Sequence, residues 1–211
     1  PNTSTIGGLT IGNTYYVQVY SYTSTTGQNT SFNICVGTPP PPPVNDDCSG
    51  AISLTVNSSC SYSTYTTASA TGSSGVPAPG CGSYSGGDVW FSVLVPSNGQ
   101  IVIDTQTGVI TDSGMALYSG TCGSLTLLEC DDDDSTNGAM SMINYTGLTP
   151  GTTVYIRFWE YSNDNPGTFG ICVTSPPCGS PVPSSITISP TSDTTATLSW
   201  TAPTPAPARG Y

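Results

Sequence analysis

The sequence contains no lysine and no histidine, and arginine stands only at positions 157 and 209. Against 13 acidic residues this leaves a net charge of -11. A chain so poor in cations cannot neutralise a run of phosphates, which excludes nucleic acid as a partner and an anionic lipid surface with it. Without histidine, most zinc sites and every histidine-based general base disappear. Without lysine or histidine, the abundant Ser and Thr hydroxyls have no neighbouring base to activate them. No catalytic residue is assigned, and the chain is read as a non-enzyme. No apolar run reaches the ~18 residues of a membrane helix, so direct membrane insertion is not expected. Only 7% of residues are charged, so solubility rests on Ser, Thr, Asn and Gly.

What is present is β-forming and repeated. β-Branched residues and Tyr dominate the alternating stretches, and no window carries helical periodicity. Gly147-Leu148-Thr149-Pro150-Gly151 leads into Val154–Tyr161 and, after a polar loop, Phe169-Gly170-Ile171-Cys172-Val173. Gly8-Leu9-Thr10-Ile11-Gly12 leads in the same way into Tyr15–Tyr22 and Phe32-Asn33-Ile34-Cys35-Val36. The offset is 139 at the glycine end (147 minus 8) and 137 at the cysteine end (172 minus 35), a difference that a connecting loop absorbs. The spacing reads as one hairpin used twice, and the chain as a slice of a tandem array. Residues 1–37 are then the C-terminal hairpin of a preceding repeat, 38–43 a stiff polyproline linker, and 44–174 a complete module. Residues 175–211 begin a further unit.

Strands are expected at 51–56, 62–70, 88–95, 100–105, 115–118, 125–129, 139–145, 154–161 and 168–173. Nine short strands at this spacing predict an all-β, jelly-roll-like two-sheet sandwich flanked by partial β modules. Alternation nominates Trp90, Phe91, Ile101, Ile103, Leu117, Ile143, Ile156 and Phe158 for its core.

Eight cysteines without a C-x-x-C spacing point to disulfides and an extracellular setting rather than to metal or redox chemistry. The six in the complete module allow 15 pairings. The three expected are Cys122–Cys130 across a short hairpin, Cys60–Cys81 around a Gly/Ser/Pro-rich excursion, and Cys48–Cys172 between the module's first and last strands. Cys35 stands where Cys172 stands in the later copy, so its partner is expected upstream; direct Cys35–Cys48 pairing is the competing option. No partner is assigned to Cys178.

The densest charge is Asp131-Asp132-Asp133-Asp134. Adjacent carboxylates favour a hard, oxygen-preferring cation, and with no histidine the natural one is calcium. Asp112, in a Thr-Asp-Ser-Gly turn, converges on this run if its strand neighbours 125–129. The expected ligands are therefore Asp112, Asp131, Asp132 and Asp133, with Asn45, Asp46 and Asp47 as a lesser cluster. The competing reading is a solvated acidic turn that keeps a sheet edge from pairing. Glu160 and Asp164 rank lower again. Tyr62, Tyr65, Tyr84, Tyr118, Tyr155 and Tyr161 are the side chains available for stacking on a sugar.

Asn45-Asp46-Asp47-Cys48, Gly86-Gly87-Asp88-Val89-Trp90-Phe91-Ser92, Met115–Gly123, Leu127–Asp133 and the Gly147–Val173 segment occur here in order. Together they resemble a β-sandwich repeat of large type IX-secreted surface proteins of gliding bacteria, similar to pre-peptidase C-terminal and CUB-like sandwiches. That resemblance implies a secreted, cell-surface protein and a calcium ion beside the Asp112 and Asp131–Asp133 loops. Ala196-Thr197-Leu198-Ser199-Trp200 followed by Pro203 resembles the start of a fibronectin type III domain. Asp134-Ser135-Thr136 and Asp193-Thr194-Thr195 resemble the O-glycosylation signal of the same bacteria, with Ser135 and Thr194 as acceptors. The expected role is a structural or adhesive repeat of a long extracellular protein, its partners being neighbouring modules of the same or identical chains and a glycan or surface ligand. The alternative is an accessory, carbohydrate-binding module of a secreted hydrolase.

Overall fold

The computed structural model describes residues 6–20, 31–38, 40–175, 184–192 and 194–201. The chain divides into two units, Pro1–Pro41 and Pro42–Tyr211. In the first unit no described residue lies in a strand. Among the described residues the expected hairpin has no strand, and its connecting residues 21–30 lie outside them. Without a sheet to pair with, a lone two-stranded ribbon is marginal in water.

The second unit contains the expected sandwich. β1 (Ile52–Leu54), β4 (Val89–Leu94), β9 (Thr153–Glu160), β6 (Ser113–Thr121) and β7 (Ser124–Asp131) form one sheet in that order. β2 (Val56–Asn57), β10 (Thr168–Thr174), β5 (Ile101–Thr107) and β8 (Met142–Tyr145) form the other, with β3 (Ser63–Thr66) also pairing with β10. Each predicted strand is present except that 51–56 is not one strand. It divides at Thr55, giving β1 to the first sheet, parallel to β4, and β2 to the second, parallel to β10.

β9 and β10 sit in opposite sheets, so the repeated segment is not a hairpin but an arch that crosses the sandwich. Strand alternation explains the crossing. Val154, Ile156 and Phe158 face inward from one sheet and Phe169, Ile171 and Val173 from the other. They meet Val89, Phe91, Val93, Ile101, Ile103, Leu117 and Ile143 in one apolar layer. Phe158 stacks on Phe169 at a centroid distance of 3.7 Å across the interface.

The opposite face of the first sheet is also apolar. Trp90, Ala116, Tyr118 and Trp159 point away from the main core and are fully buried. Residues 71–87 lie over them as a third layer that has no strand, with Val76, Cys81 and Tyr84 packed against the aromatic face. Gly114 makes this contact possible: a Cβ there would come within 2.3 Å of the Trp159 ring. Trp90, expected in the main core, belongs to this outer cluster instead.

The three disulfides are Cys48–Cys122, Cys60–Cys172 and Cys81–Cys130. None of the expected pairs, Cys122–Cys130, Cys60–Cys81 and Cys48–Cys172, is formed. Cys122 lies in the β6–β7 turn, whereas Cys130 pairs across from Ala116 near the far end of β7. The strand between them spans roughly 20 Å, far beyond the reach of a disulfide. Cys172 alternates with the inward Ile171 and Val173, so it faces out from the second sheet towards Cys60, away from Cys48 and Cys81 on the first. Two links therefore fasten the outer face of the first sheet and one the outer face of the second. Cys48 being occupied, the Cys35–Cys48 option is excluded; Cys35 is a free, exposed thiol. Cys178 lies outside the described residues.

β11 (Ser184–Ser192) and β12 (Thr195–Thr201) form a separate antiparallel ribbon, with Trp200 on the second strand 44% exposed. Among the described residues no helix is long and apolar enough to cross a membrane.

Candidate metal site and the buried ion pair

The β7 strand ends at Asp131, and the chain turns sharply back towards β8. Asp131 makes that turn: its Oδ2 accepts from the Met142 N–H at 2.8 Å and the Asp134 N–H at 3.3 Å. Asp131 thus closes the loop, and it is not among the carboxylates that cluster there. The next two carboxylates are thrown to the other side. Asp112, held by a parallel bridge to Ala139 and by a Tyr161 N–H donated to its carbonyl, meets them there. One carboxylate oxygen each from Asp112, Asp132 and Asp133 lies within 4.8 Å of the others. Of the four expected ligands the structure brings together these three.

Among the described residues the lone arginine, Arg157, is paired with Asp88 and not with this group. Oδ1 of Asp112 and Oδ1 of Asp132 are both buried with no hydrogen-bond partner, a costly state for a carboxylate oxygen. Burial, then the charges of Asp133 and Asp164, pushes the Asp112 carboxyl above its ordinary value. Burial and the charges of Asp133, Asp112 and Asp131 do the same to Asp132. Glu160, whose Oε2 accepts from the Asp164 N–H at 2.8 Å, is raised by burial, with Asp164 and Asp112 contributing. Excess negative charge, unsatisfied oxygens and a small spacing together fit a hard divalent cation with oxygen ligands.

Asn45, Asp46 and Asp47 do not form a second such group. The buried Asn45 donates its Nδ2 to the Trp90 carbonyl, and Asp46 accepts from the Thr71 N–H and hydroxyl, both at 2.6 Å. These two fasten the module's entrance to β4 and to the start of the covering segment. Asp47 precedes a short 3-10 turn, Cys48–Gly50, without capping it.

The site the sequence reading missed is Asp88. It lies at the mouth of β4, fully buried, and its carboxylate accepts from Arg157 Nε at 2.9 Å and Nη2 at 3.2 Å. Ser73, Tyr84 and Trp90 Nε1 complete its shell. Arg157 stacks over the Tyr84 ring at 4.2 Å and reaches the Pro77 carbonyl. Burial would raise the Asp88 carboxyl, but the hydrogen bonds from Arg157, Ser73 and Tyr84 and the arginine charge outweigh it and hold it below the usual range. A signal did exist. Arg157 is the module's lone cation, placed mid-strand between Tyr155 and Trp159, where an unpaired charge would be prohibitive.

The other expectations divide. Ser135 is buried, and its hydroxyl donates to Asp104 Oδ1 at 2.7 Å and to the Thr105 carbonyl, so it is no glycosylation acceptor. Thr194 is exposed between β11 and β12; Asp193 before it lies outside the described residues. Tyr65 packs edge-on against Phe91, Tyr84 covers Arg157, Tyr118 is fully buried and Tyr62 donates to Asp104. Tyr161 is exposed, while Tyr155, like Tyr62, Tyr65 and Tyr84, is half-buried. Tyr155 lines a groove of about 590 Å³ with Tyr145, Leu148 and Thr121.

No curated protein matches the sequence. Among solved structures the chain is similar to the pre-peptidase C-terminal domain of a collagenase from Bacillus anthracis. The two share 13% identity and a TM-score of 0.37, with 58% of this chain and 91% of that chain covered. A family model described as galactose binding domain-like, associated with type IX secretion, matches residues 44–171. That family and three disulfides mark the protein as secreted. With more than half of its residues matched, the chain belongs to the type IX secretion-associated galactose binding domain-like family.

Proposed function

We propose that the sandwich is a non-catalytic structural and adhesive module of an extracellular surface protein, stabilised by disulfides and by calcium at Asp112, Asp132 and Asp133. The observation that carries the calcium assignment is the pair of buried, unpartnered oxygens on Asp112 and Asp132. A bound Ca²⁺ accepts both, and would draw further oxygens from Asp133 and backbone carbonyls. The non-catalytic reading is supported by the chemistry of the buried groups: Asp88 and Arg157 saturate each other inside the fold. Spacing and adhesion follow from the tandem pattern and the proline run. Thermal unfolding with calcium and with a chelator tests the metal; an unchanged midpoint, or no loss of response in Asp132→Asn, removes it.

A second reading is glycan binding in the Tyr155 groove, favoured by the family's galactose-binding description and the half-open tyrosine beside Tyr145. Titration with galactose-terminated oligosaccharides, followed by NMR shifts of residues 145–155, decides it. Loss of those shifts in Tyr155→Ala is the expected result. Thr194 is the proposed acceptor for O-glycosylation; an unmodified tryptic peptide from secreted material would exclude it.

A further inference from the structure

Residues 8–36 repeat a segment whose place in the sandwich is now fixed. In the complete module it is an arch: β9 lies between β4 and β6 in one sheet, and β10 beside β5 in the other. The opening turn of the earlier copy has the same backbone. Gly8 and Gly12 have φ of 74° and 86°, against 81° and 77° at Gly147 and Gly151. Asn13 N–H donates to the Thr10 carbonyl at 3.2 Å, as Thr152 N–H does to Thr149 at 3.2 Å. Beyond the turn the likeness ends. Counterparts of the buried Val154, Ile156 and Phe158 are Tyr15, Val17 and Val19, exposed by 50%, 65% and 50%. Counterparts of Phe169, Ile171 and Val173 are Phe32, Ile34 and Val36, exposed by 63%, 57% and 83%. Cys35, at the place of Cys172, is a free thiol.

We propose that residues 8–20 and 31–36 are the two limbs of the closing arch of a second sandwich, whose remaining strands, equivalents of β1–β8, come from another stretch of polypeptide of this same family. What covers such an arch is visible in the complete module. Residues 15–20 pair between the partner's fourth and sixth strands, and residues 32–36 beside its fifth. Tyr15, Val17, Val19, Phe32, Ile34 and Val36 fill its core. Cys35 meets a cysteine at the partner's equivalent of Cys60. The two thiols become a disulfide, and their two electrons and two protons pass to a disulfide oxidant such as oxidised glutathione, which leaves as two thiols. The arch also selects its partner. Gln18 stands where Arg157 stands, and a neutral amide cannot offset a buried carboxylate. The accepting sandwich therefore carries a neutral residue at the place of Asp88.

A fusion that places a second copy of residues 44–146 directly before residue 8 of the full chain supplies the missing strands. Three results are expected. Cys35 becomes unreactive to iodoacetamide, a disulfide between Cys35 and Cys60 of the added copy appears in the peptide map, and amides of residues 15–20 gain protection from hydrogen exchange. Asp88→Asn in the added copy raises the unfolding midpoint of the new unit, whereas in the original module it lowers the midpoint. A control fusion adding residues 44–173 brings its own arch and leaves Cys35 reactive. If that control folds while Cys35 and residues 15–20 of the Asp88→Asn fusion behave as in the parent chain, the proposal fails. It fails equally if protection survives Val17→Asp combined with Val19→Asp.

Discussion

The module holds two groups of buried carboxylate oxygens, and they are treated in opposite ways. At Asp88 the protein supplies everything the charge needs: an arginine, two hydroxyls and an indole N–H, all within 3.2 Å. At Asp112 and Asp132 it supplies more negative charge. The difference shows that low charge content is no guide to electrostatic weight. A chain with one cation in its sandwich spends it where no solvent reaches, and sets no arginine beside the acidic loop among the described residues.

Removing Arg157 should have the largest effect. Arg157→Ala strands the Asp88 carboxylate in an apolar layer and should cost about 3–5 kcal/mol in denaturant unfolding. Arg157→Met with Asp88→Leu should recover most of that, because packed apolar side chains commonly replace a buried pair without loss. A single variant as stable as the parent would dissolve the contrast between the two sites. Replacing Cys81 and Cys130 together by Ser should cost about 2–4 kcal/mol, since the link closes a loop of 49 residues and holds the covering segment over Trp159. Hydrogen exchange should show residues 71–87 losing protection first.

Calcium comes next. At a concentration one hundred times its dissociation constant a ligand adds about 2.7 kcal/mol, and Asp132→Asn should abolish the gain, whereas Asp46→Asn should leave it intact. The smallest effect is the pH dependence, which should differ in sign between the sites. The metal-free Asp112 and Asp132 carboxyls are raised above their unfolded values, so their contribution is present at pH below the unfolded pKa and is lost as pH rises through the folded one. Asp88 is depressed, so its contribution is present above the unfolded pKa and is lost as pH falls through the folded one. In the absence of metal, Asp112→Asn should flatten the decline in stability as pH rises above about 4. Asp88→Asn should flatten the loss below pH 4. Parallel curves for the two variants would count against distinct roles.

Much of the fold was legible because the apolar residues alternate with a period of two. Ile101, Ile103, Ile156 and Phe158 were assigned inward from that spacing alone, and they are buried. The switch at Thr55 was not legible, since Ile52, Leu54 and Val56 alternate without a break while the backbone changes sheets. The disulfides were misread for a related reason: two pairs rest on nearness along the chain and the third on joining the module's first and last strands, where the face of the strand decides. Cys172 between Ile171 and Val173 already pointed outward. The acidic loop was legible as a charge run with Asp112 converging on it, but not the diversion of Asp131 into two backbone hydrogen bonds, which depends on how β7 turns into β8. Asp88 was quoted only within a motif. Its partner is 69 residues away and is joined to it only by the pairing of β4 with β9.

The Cys60–Cys172 bond has a mechanical consequence. A pull applied at Val44 and Thr174 travels from Val44 to Cys60, crosses the sulfur bridge and leaves through Cys172 to Thr174. That is 17 residues plus 3, or 20 in all. At roughly 3.3–3.6 Å each, this path stretches to about 70 Å, while residues 61–171 remain outside the line of tension. However hard it is loaded, such a unit lengthens by only a small fraction of its contour, and it behaves in a tether as a short, nearly inextensible link.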